Sequence, residues 1–261
     1  MRFLRRREPD GRRPVGATRG RRLGTDRGQS EVVGVAVLLA ATMLSLGIVT
    51  ATIGGVVQQQ AGGADAARVA SDLESALRPV AATGAHRGSV SFAEGELTVV
   101  EREVRILDGG RTVRELSADA VVYRHGGRRV TFLAGTVVRG VGESARFRRA
   151  PPVSADPAVL VVGVPTLNHS GATTVSGGPA TVPLSTNVSH HRQPLGDGTW
   201  RVAVETATPS PWTAYFEAQG ATVKTRDLDG DGVDSVVAKF TGRRTAYLVV
   251  HAMHLEVGRD G

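Results

Sequence analysis

GSVSFAEGELTVVEREVRIL, residues 88–107, alternates apolar and polar side chains with a period of two. This period places successive side chains on opposite faces of an extended chain, so the stretch predicts short β-strands. Glu94-Gly95 interrupts the alternation and predicts a tight turn between two antiparallel strands. We therefore expect a folded domain that begins with a hairpin.

The same alternation continues toward the C-terminus, and turn residues separate the predicted strands at Asp108-Gly109-Gly110 and Gly126-Gly127. Three prolines near 150–157 mark a candidate sub-boundary. The continuous apolar run Val159–Val162 follows them and predicts a buried central strand. The other strands predicted in this half are 89–92, 96–100, 103–107, 120–123, 129–133, 136–138 and 145–147.

The second half adds more strands and one short helix. Ser210 and Pro211 are typical of a helix start, and this helix is expected to end near Gln219. Its aromatic residues Trp212, Tyr215 and Phe216 are expected to pack on the sheet, and a carbohydrate-binding platform is the alternative. The strands are predicted near 173–175, 199–204, 221–224, 235–240 and 245–250, which gives a mainly antiparallel sandwich or meander over 88–256.

Before residue 88 the apolar spacing changes from two to three and four. This spacing predicts an amphipathic helix over 61–80, ended by Pro79, whose apolar positions are Ala66, Val69, Ala70, Leu73 and Leu77. The pair Gly62-Gly63 leaves two arrangements open. The helix either continues the preceding apolar segment as one spine or joins it through a glycine hinge.

The preceding segment, Val32–Val57, contains no charged residue. A helix of this length extends about 39 Å, against about 30 Å of bilayer hydrocarbon. Its few hydroxyl side chains can bond back to the preceding helical turn. We therefore predict a transmembrane helix over 29–60. A buried soluble helix and a cleaved secretory signal are the alternatives, but the first rarely stays uncharged for so long and the second has a shorter apolar region.

The positive charge of the chain lies before this segment. Residues 1–28 hold ten arginines and three acids, which accounts for the whole net charge of +7. We interpret 1–28 as a basic, disordered leader rather than a nucleic-acid-binding domain, since it is rich in glycine, proline and arginine. The positive-inside rule then places the N-terminus in the cytoplasm and residues 88–256 outside the cell.

The junction Arg27-Gly28-Gln29-Ser30-Glu31, followed at once by the apolar segment, resembles the class III signal peptides of archaeal type IV pilins. The resemblance implies that a prepilin-type peptidase cuts between Gly28 and Gln29 and removes the leader. It also implies that the retained helix packs against other pilin subunits and that Glu31 pairs with a neighbour's terminal amine. A simple helix-start acid, stabilised by the helix dipole, is the alternative for Glu31.

More broadly, the chain resembles a group of pilin-like membrane proteins from halophilic archaea. The segments that carry this resemblance are Trp212-x-x-Tyr215-Phe216 and Gly142-Glu143-Ser144-Ala145-Arg146. No function comes with it.

The segment DLDGDGVD, residues 227–234, is a candidate calcium loop. Its carboxylates Asp227, Asp229, Asp231 and Asp234 surround a glycine at the sixth position, where such loops turn sharply. The twelfth position is Ala238, so the bidentate acid of an EF-hand is missing. A solvated hairpin turn between two strands is the alternative.

Two glycosylation sequons, at Asn168 and Asn187, are predicted to lie on loops. The histidines show no spacing typical of metal ligands. His190-His191 is expected on a loop and His251-x-x-His254 at a strand end, so all four are predicted to be solvated.

The chain has no cysteine, which excludes disulfides, thiolate metal sites and cysteine nucleophiles. No nucleophile elbow or phosphate loop is present either. The sequence thus predicts an α+β, membrane-anchored protein whose outer β domain is a non-enzymatic surface or adhesion module. The rivals are a monomeric single-pass envelope protein without filaments and a surface hydrolase without a readable motif.

Overall fold

The structure is a computed structural model that describes residues 26–78, 82–171 and 173–258, without the side chains of 26–33, 47–60 and 171. Most of the predicted leader, residues 1–25, therefore lies outside the described residues. The chain divides into two compact units, Met1–Gly55 and Val56–Gly261. Helix α1, Asp26–Ala76, includes the boundary between them and also Gly62 and Gly63.

The second unit is rich in β-structure and contains one further helix, α2, Pro209–Ala218, and a single 3-10 turn at Gly142–Ser144 within the described residues. The strands are β1 Gly84–Phe92, β2 Gly95–Val100, β3 Glu103–Asp108, β4 Arg111–Ser117, β5 Ala120–His125, β6 Arg128–Leu133, β7 Thr136–Arg139, β8 Arg146–Arg149, β9 Val153–Ala155, β10 Val159–Gly171, β11 Thr174–Gly177, β12 Ala180–Gly198, β13 Trp200–Glu205, β14 Ala221–Arg226, β15 Ser235–Phe240 and β16 Arg244–Val257.

The strands form three sheets rather than one meander or a two-sheet sandwich. Sheet I has the order β1-β12-β16-β10-β9, sheet II the order β11-β2-β5-β6-β7-β8, and sheet III the order β14-β15-β13-β3-β4. Neighbouring strands are antiparallel except β10 and β16, which run parallel from Val159 opposite Thr245 to Gly171 opposite Val257. The prediction of a mostly antiparallel, β-rich domain is confirmed.

Sheet II is apolar on both faces. On β5, Ala120 and Val122 face a first core, while Val121 and Tyr123 face a second core. The first core is completed by sheet III, α2 and parts of β10 and β16. The second is completed by sheet I and the last turns of α1. A strand with two buried faces needs apolar residues at consecutive positions, and β5 supplies them in its Val121-Val122-Tyr123 run.

The last turns of α1 belong to the second core. The five apolar positions that recur with helical spacing, from Ala66 to Leu77, are all buried at 1% exposure or less. Their neighbours Arg68, Ser71 and Ser75 are exposed. This part of the helix therefore presents one apolar stripe to the sheets and one polar stripe to solvent.

A buried carboxylate also holds α1 to the sheets. Asp65 accepts hydrogen bonds from the backbone N–H of Ala93 at 3.1 Å and from the hydroxyl of Tyr123 at 2.9 Å. The same hydroxyl lies 2.7 Å from the carbonyl oxygen of Glu94. Asp65 thus links the helix to the β1–β2 turn and to β5. The sequence pattern did not indicate this role, since an acid in a helix usually faces solvent.

The Tyr123 contact predicts a pH-dependent contribution to stability. Burial, and then Asp65, raise the pKa of Tyr123 above the ordinary tyrosine value. Because the raised folded pKa favours the protonated hydroxyl, this contribution is fully present below about pH 10, the unfolded value, and is lost as pH rises through the folded value.

Tyr123→Phe is therefore expected to lose about 1–3 kcal/mol of stability at neutral pH and less above about pH 10. Urea unfolding at both pH values measures this, and the exposed Tyr247 provides the control variant Tyr247→Phe. An equal loss at both pH values would contradict the assignment.

Several sequence predictions were wrong in their local detail. Ser210 does not cap α2, which begins at Pro209 after Thr208. The hydroxyl of Ser210 instead donates to the carbonyl oxygen of Gly142 and to Glu143 Oε1. Asn187 and His190-His191, predicted to lie on loops, belong to the long strand β12. This strand forms because Val182, Leu184, Thr186 and Val188 turn to the core at every second position. Strands β4 and β9 were not predicted.

Other predictions of this kind hold. Leu160 and Val162 are buried, and β10 lies inside sheet I between β16 and β9, as the apolar run predicts. Trp212 and Phe216 of α2 are also buried, so they pack in the core and cannot form an exposed carbohydrate platform. The sub-boundary near 150–157 lies within the second unit and stays a prediction.

Candidate functional site

The apolar part of α1 is exposed in the single chain. Its large side chains between residues 35 and 46 are 55 to 72% exposed: Val35, Val37, Leu38, Leu39, Met43, Leu44 and Leu46. The hydroxyl of Thr42 donates to the carbonyl oxygens of Leu38 and Leu39, and that of Ser45 to Ala41, as expected for hydroxyls in an apolar helix. Within the described residues, no helix combines the length and hydropathy of a membrane span.

The predicted processing residues Gly28 and Gln29 and the predicted assembly residue Glu31 lie in the first turns of α1. Their side chains lie outside the described part of the structure. Cleavage and pairing at these residues therefore stay predictions.

The Asp-rich loop 227–234 joins β14 to β15 as a hairpin turn. Asp227 accepts the backbone N–H groups of Asp229, Gly230 and Gly232 at 2.7 to 3.2 Å. Oxygens of Asp227, Asp229 and Asp231 all lie within 4.8 Å of one another, whereas Asp234 is not in this group. Calcium binding by these carboxylates stays a prediction.

Arg105 of β3 reaches this loop from the neighbouring part of sheet III. Its Nη2 atom lies 2.7 Å from Asp229 Oδ2, and its Nε donates to Glu115 Oε2 at 3.1 Å. It also pairs with Glu103. The hydrogen bond from Arg105 lowers the pKa of Asp229 to about 2. Sequence spacing did not indicate this contact, because Arg105 and Asp229 are far apart along the chain.

A second group of titratable residues, around Asp119 and His169, lines a cavity of about 500 Å³. Asp119 Oδ2 accepts the backbone N–H of His169 at 3.2 Å, and Asp119 Oδ1 accepts the hydroxyl of Ser117 at 3.4 Å. The imidazole Nδ1 of His169 is 3.9 Å from Asp119 Oδ2. Burial raises the pKa of Asp119. Because Ser117 donates to the acid and not to the histidine, the group lacks the serine–histidine contact of a nucleophilic site.

The remaining predicted positions lie on strands, not on loops. Asn168 of β10 and Asn187 of β12 are both exposed, and both stand opposite His254 of β16. The prediction that the sequons lie on loops was wrong, because Ser- and Thr-rich chain pairs into sheet I. Their use as glycosylation sites stays a prediction.

The histidines were wrongly placed in the same way, but His190, His191 and His254 are exposed, as predicted, and His251 is half-buried. His190 and His191 lie within β12, and His251 and His254 lie inside β16 rather than at its end. Strand pairing brings His190 Nδ1 within 2.8 Å of His251 Nδ1. Burial, followed by the charges of His190 and Arg192, lowers the pKa of His251. Within the described residues, no carboxylate lies within ion-pair distance of His251 or His254.

Comparison with curated proteins finds no match. Comparison with solved structures also finds no match. The sequence model of DUF7289, a family of unknown function, matches residues 27–256, which include α1 from its second residue and nearly all of the β-rich domain. Because this match covers most of the chain, the protein belongs to DUF7289, a family of unknown function.

Proposed function

We propose that this protein is a pilin-like cell-surface protein, held in the membrane or assembled through its N-terminal apolar helix. Its β-rich domain lies outside the cell and serves adhesion or contact with the envelope. The observation that carries the proposal is the exposure of seven large apolar side chains on α1 in the single chain.

The free energy of this exposure favours a partner around the helix. Fully burying one exposed Val, Leu or Met side chain contributes about 1.5–3 kcal/mol. Because these seven are 55 to 72% exposed, covering them contributes roughly 6–15 kcal/mol. The hydroxyls of Thr42 and Ser45 already bond within the helix, so they do not oppose an apolar surrounding. Lipid and neighbouring copies of the same helix both provide such a surrounding.

The sequence before the helix supports an N-terminus on the cytoplasmic side. All of the net positive charge precedes Gln29. The family match also begins at Arg27, next to the predicted cleavage site. The match leaves out 1–26 and retains only Arg27 and Gly28 of the predicted leader, which fits a shared sequence that begins at the processing motif.

Mass spectrometry of the protein from its own cells tests the processing step. We expect a mature amino terminus at Gln29. A chain that retains Met1 would contradict pilin-type processing. The variant Gly28→Leu is expected to retain the leader, while Ser30→Ala provides the control that is still cut.

Protease treatment of intact cells tests the orientation. Residues 88–256 should be accessible from outside, and cell lysis should not increase their cleavage. Protection of this domain in intact cells, with cleavage after lysis, would overturn the proposal.

Glu31→Ala distinguishes assembly from simple anchoring. Loss of a buried ion pair costs about 3–5 kcal/mol, which lowers subunit association by more than about a hundredfold. We expect filaments, observed by electron microscopy, to disappear while the protein stays in the membrane fraction. Ser30→Ala is the matched control. Filaments that persist would remove the role of Glu31, and a wild-type protein without filaments would favour the monomeric envelope protein.

A further inference from the structure

A basic groove of about 490 Å³ lies on sheet III, across strands β13, β15 and β14. Four cationic side chains line it: Arg201 of β13, Lys239 of β15, and Lys224 and Arg226 of β14. Three threonines, Thr199, Thr222 and Thr241, add hydroxyl groups. Among the residues that the structure describes, no acid lines the groove. We call these seven residues the basic groove.

Strand register brings the cations together. Arg201 stands opposite Lys239, and Lys239 stands opposite Thr222 on the next strand. Lys224 lies two residues further along β14, on the same face as Thr222, and Arg226 two residues beyond it. Neighbouring strands are about 4.8 Å apart and alternate residues about 7 Å apart, so the backbone spaces the charges at such intervals over three strands.

The acids close to the groove are held by other groups. Asp229 pairs with Arg105, and Glu205 pairs with Arg102 at 3.2 Å. Asp227 accepts N–H groups of its own loop. Asp108 lies beside the groove, where its Oδ1 accepts the backbone N–H of Thr199. Within the described residues, none of the four groove cations has a carboxylate at ion-pair distance. Among the described residues, the Nε atom of Arg201 is also buried and has no hydrogen-bond partner.

Edge protection explains only part of this pattern. Charged residues on an edge strand prevent pairing with another sheet, and β14 is an edge of sheet III, so Lys224 and Arg226 suit that role. Arg201 and Lys239 lie on the inner strands β13 and β15, which have no free edge. A solvated structural role therefore leaves half of the cations unexplained.

The positions of the two lysines also favour a role beyond edge protection. The chain contains 32 lysines and arginines, but its only two lysines are Lys224 and Lys239. Both are exposed and both line the groove.

We propose that the basic groove binds an acidic polysaccharide, a linear sugar polymer that carries sulfate or carboxylate groups. The charges extend over three strands instead of converging on one point, so they suit a polymer better than a single small anion. The hydroxyls of Thr222 and Thr241 suit the hydroxyls of sugar rings, whereas that of Thr199 donates to Asp108 Oδ1 at 3.3 Å. Phe240, which also lines this cavity, is buried, so it offers no exposed aromatic ring for base stacking, on which single-stranded nucleic acid binding largely depends.

This proposal rests on the proposed function in one respect: the groove meets such a polymer only if sheet III lies outside the cell. Binding itself does not depend on location, so the test uses the purified full-length protein in a mild detergent. The probes are dextran sulfate and polygalacturonate, with uncharged dextran, inorganic sulfate and single-stranded DNA as comparisons.

We expect at least one of the two acidic polysaccharides to bind, with an affinity that falls steeply as salt rises. Lys224→Glu combined with Lys239→Glu should weaken binding by about tenfold or more, equivalent to at least about 1.4 kcal/mol. The control, Arg87→Glu combined with Arg192→Glu, makes the same charge change at exposed positions of sheet I and should change binding by less than about twofold. Lys224→Gln with Lys239→Gln replaces the first variant if that variant does not fold.

The two lysines also allow a test without mutation. Acylation of the wild-type protein modifies only Lys224, Lys239 and the terminal amine, and the polymer that binds should slow modification of both lysines, measured by mass spectrometry. The proposal is overturned if neither acidic polysaccharide binds, if the control variant weakens binding equally, or if DNA or inorganic sulfate binds as tightly. Such a result would not contradict the membrane anchor formed by the helix. Conversely, a domain that the protease test places inside the cell would overturn the proposed function but not the binding of the polymer.

Discussion

Phe216→Ala is expected to destabilise the β-rich domain by about 3–5 kcal/mol, the usual cost of removing a fully buried aromatic ring. Phe216 is fully buried, and its ring centroid lies 5.9 Å from Trp212 and 6.5 Å from Phe240. Truncation would therefore leave a cavity between α2 and sheet III. In a domain of this size the midpoint of thermal unfolding should fall by roughly 6–20 °C.

Chemical denaturation of both proteins measures this change. Glu217→Ala, on the exposed side of the same helix, should change stability by less than about 0.5 kcal/mol. A loss below about 1 kcal/mol for Phe216→Ala would show that α2 does not anchor the first core.

Leu73→Ala is expected to cost about 2–5 kcal/mol, because Leu73 is fully buried in the second core, between α1 and the sheets. The nearby Ser75 is exposed on the same helix, so Ser75→Ala provides the control. Urea unfolding followed by the fluorescence of Trp200 and Trp212 reports on the first core. Sheet II separates the two cores. If the tryptophan signal shows the same loss of stability, the two cores unfold together.

A separate transition, in which the tryptophan signal keeps its wild-type midpoint, would contradict this expectation. It would mean that the last turns of α1 unfold on their own and that the helix is an appendage of the domain.

The sequence predicted the elements whose signal is local. Strict alternation located β2, β3 and β6, and spacing of three and four located the buried stripe of α1. The aromatic residues of α2 were expected to pack on the sheet, and Trp212 and Phe216 are buried. In these cases one face of one element carries the information.

The longest strands could not be predicted from the same signals. Strand β12 contains Pro183, Pro194 and many Ser and Thr residues, which locally favour a loop. It is extended because β1 and β16 pair with it on both sides, with a bulge between Pro194 and Gly196. Pairing between distant strands overrides local preference, and a single sequence does not show which strands pair.

The candidate sites depend on the same distant pairing. Asp229 meets Arg105, and Asp119 meets His169, only after separate strands have come together. The Asp-rich loop was recognised because its acids are adjacent in the chain. The basic groove was not recognised, since its four cations come from three strands and show no common spacing.

The position of β16 limits when the domain can fold. This last strand lies inside sheet I, between β12 and β10, and pairs with both. Sheet I therefore remains incomplete until synthesis has passed Arg244–Val257, although its other strands come earlier in the chain. A premature stop codon before Arg244 would leave β10 and β12 without their shared partner.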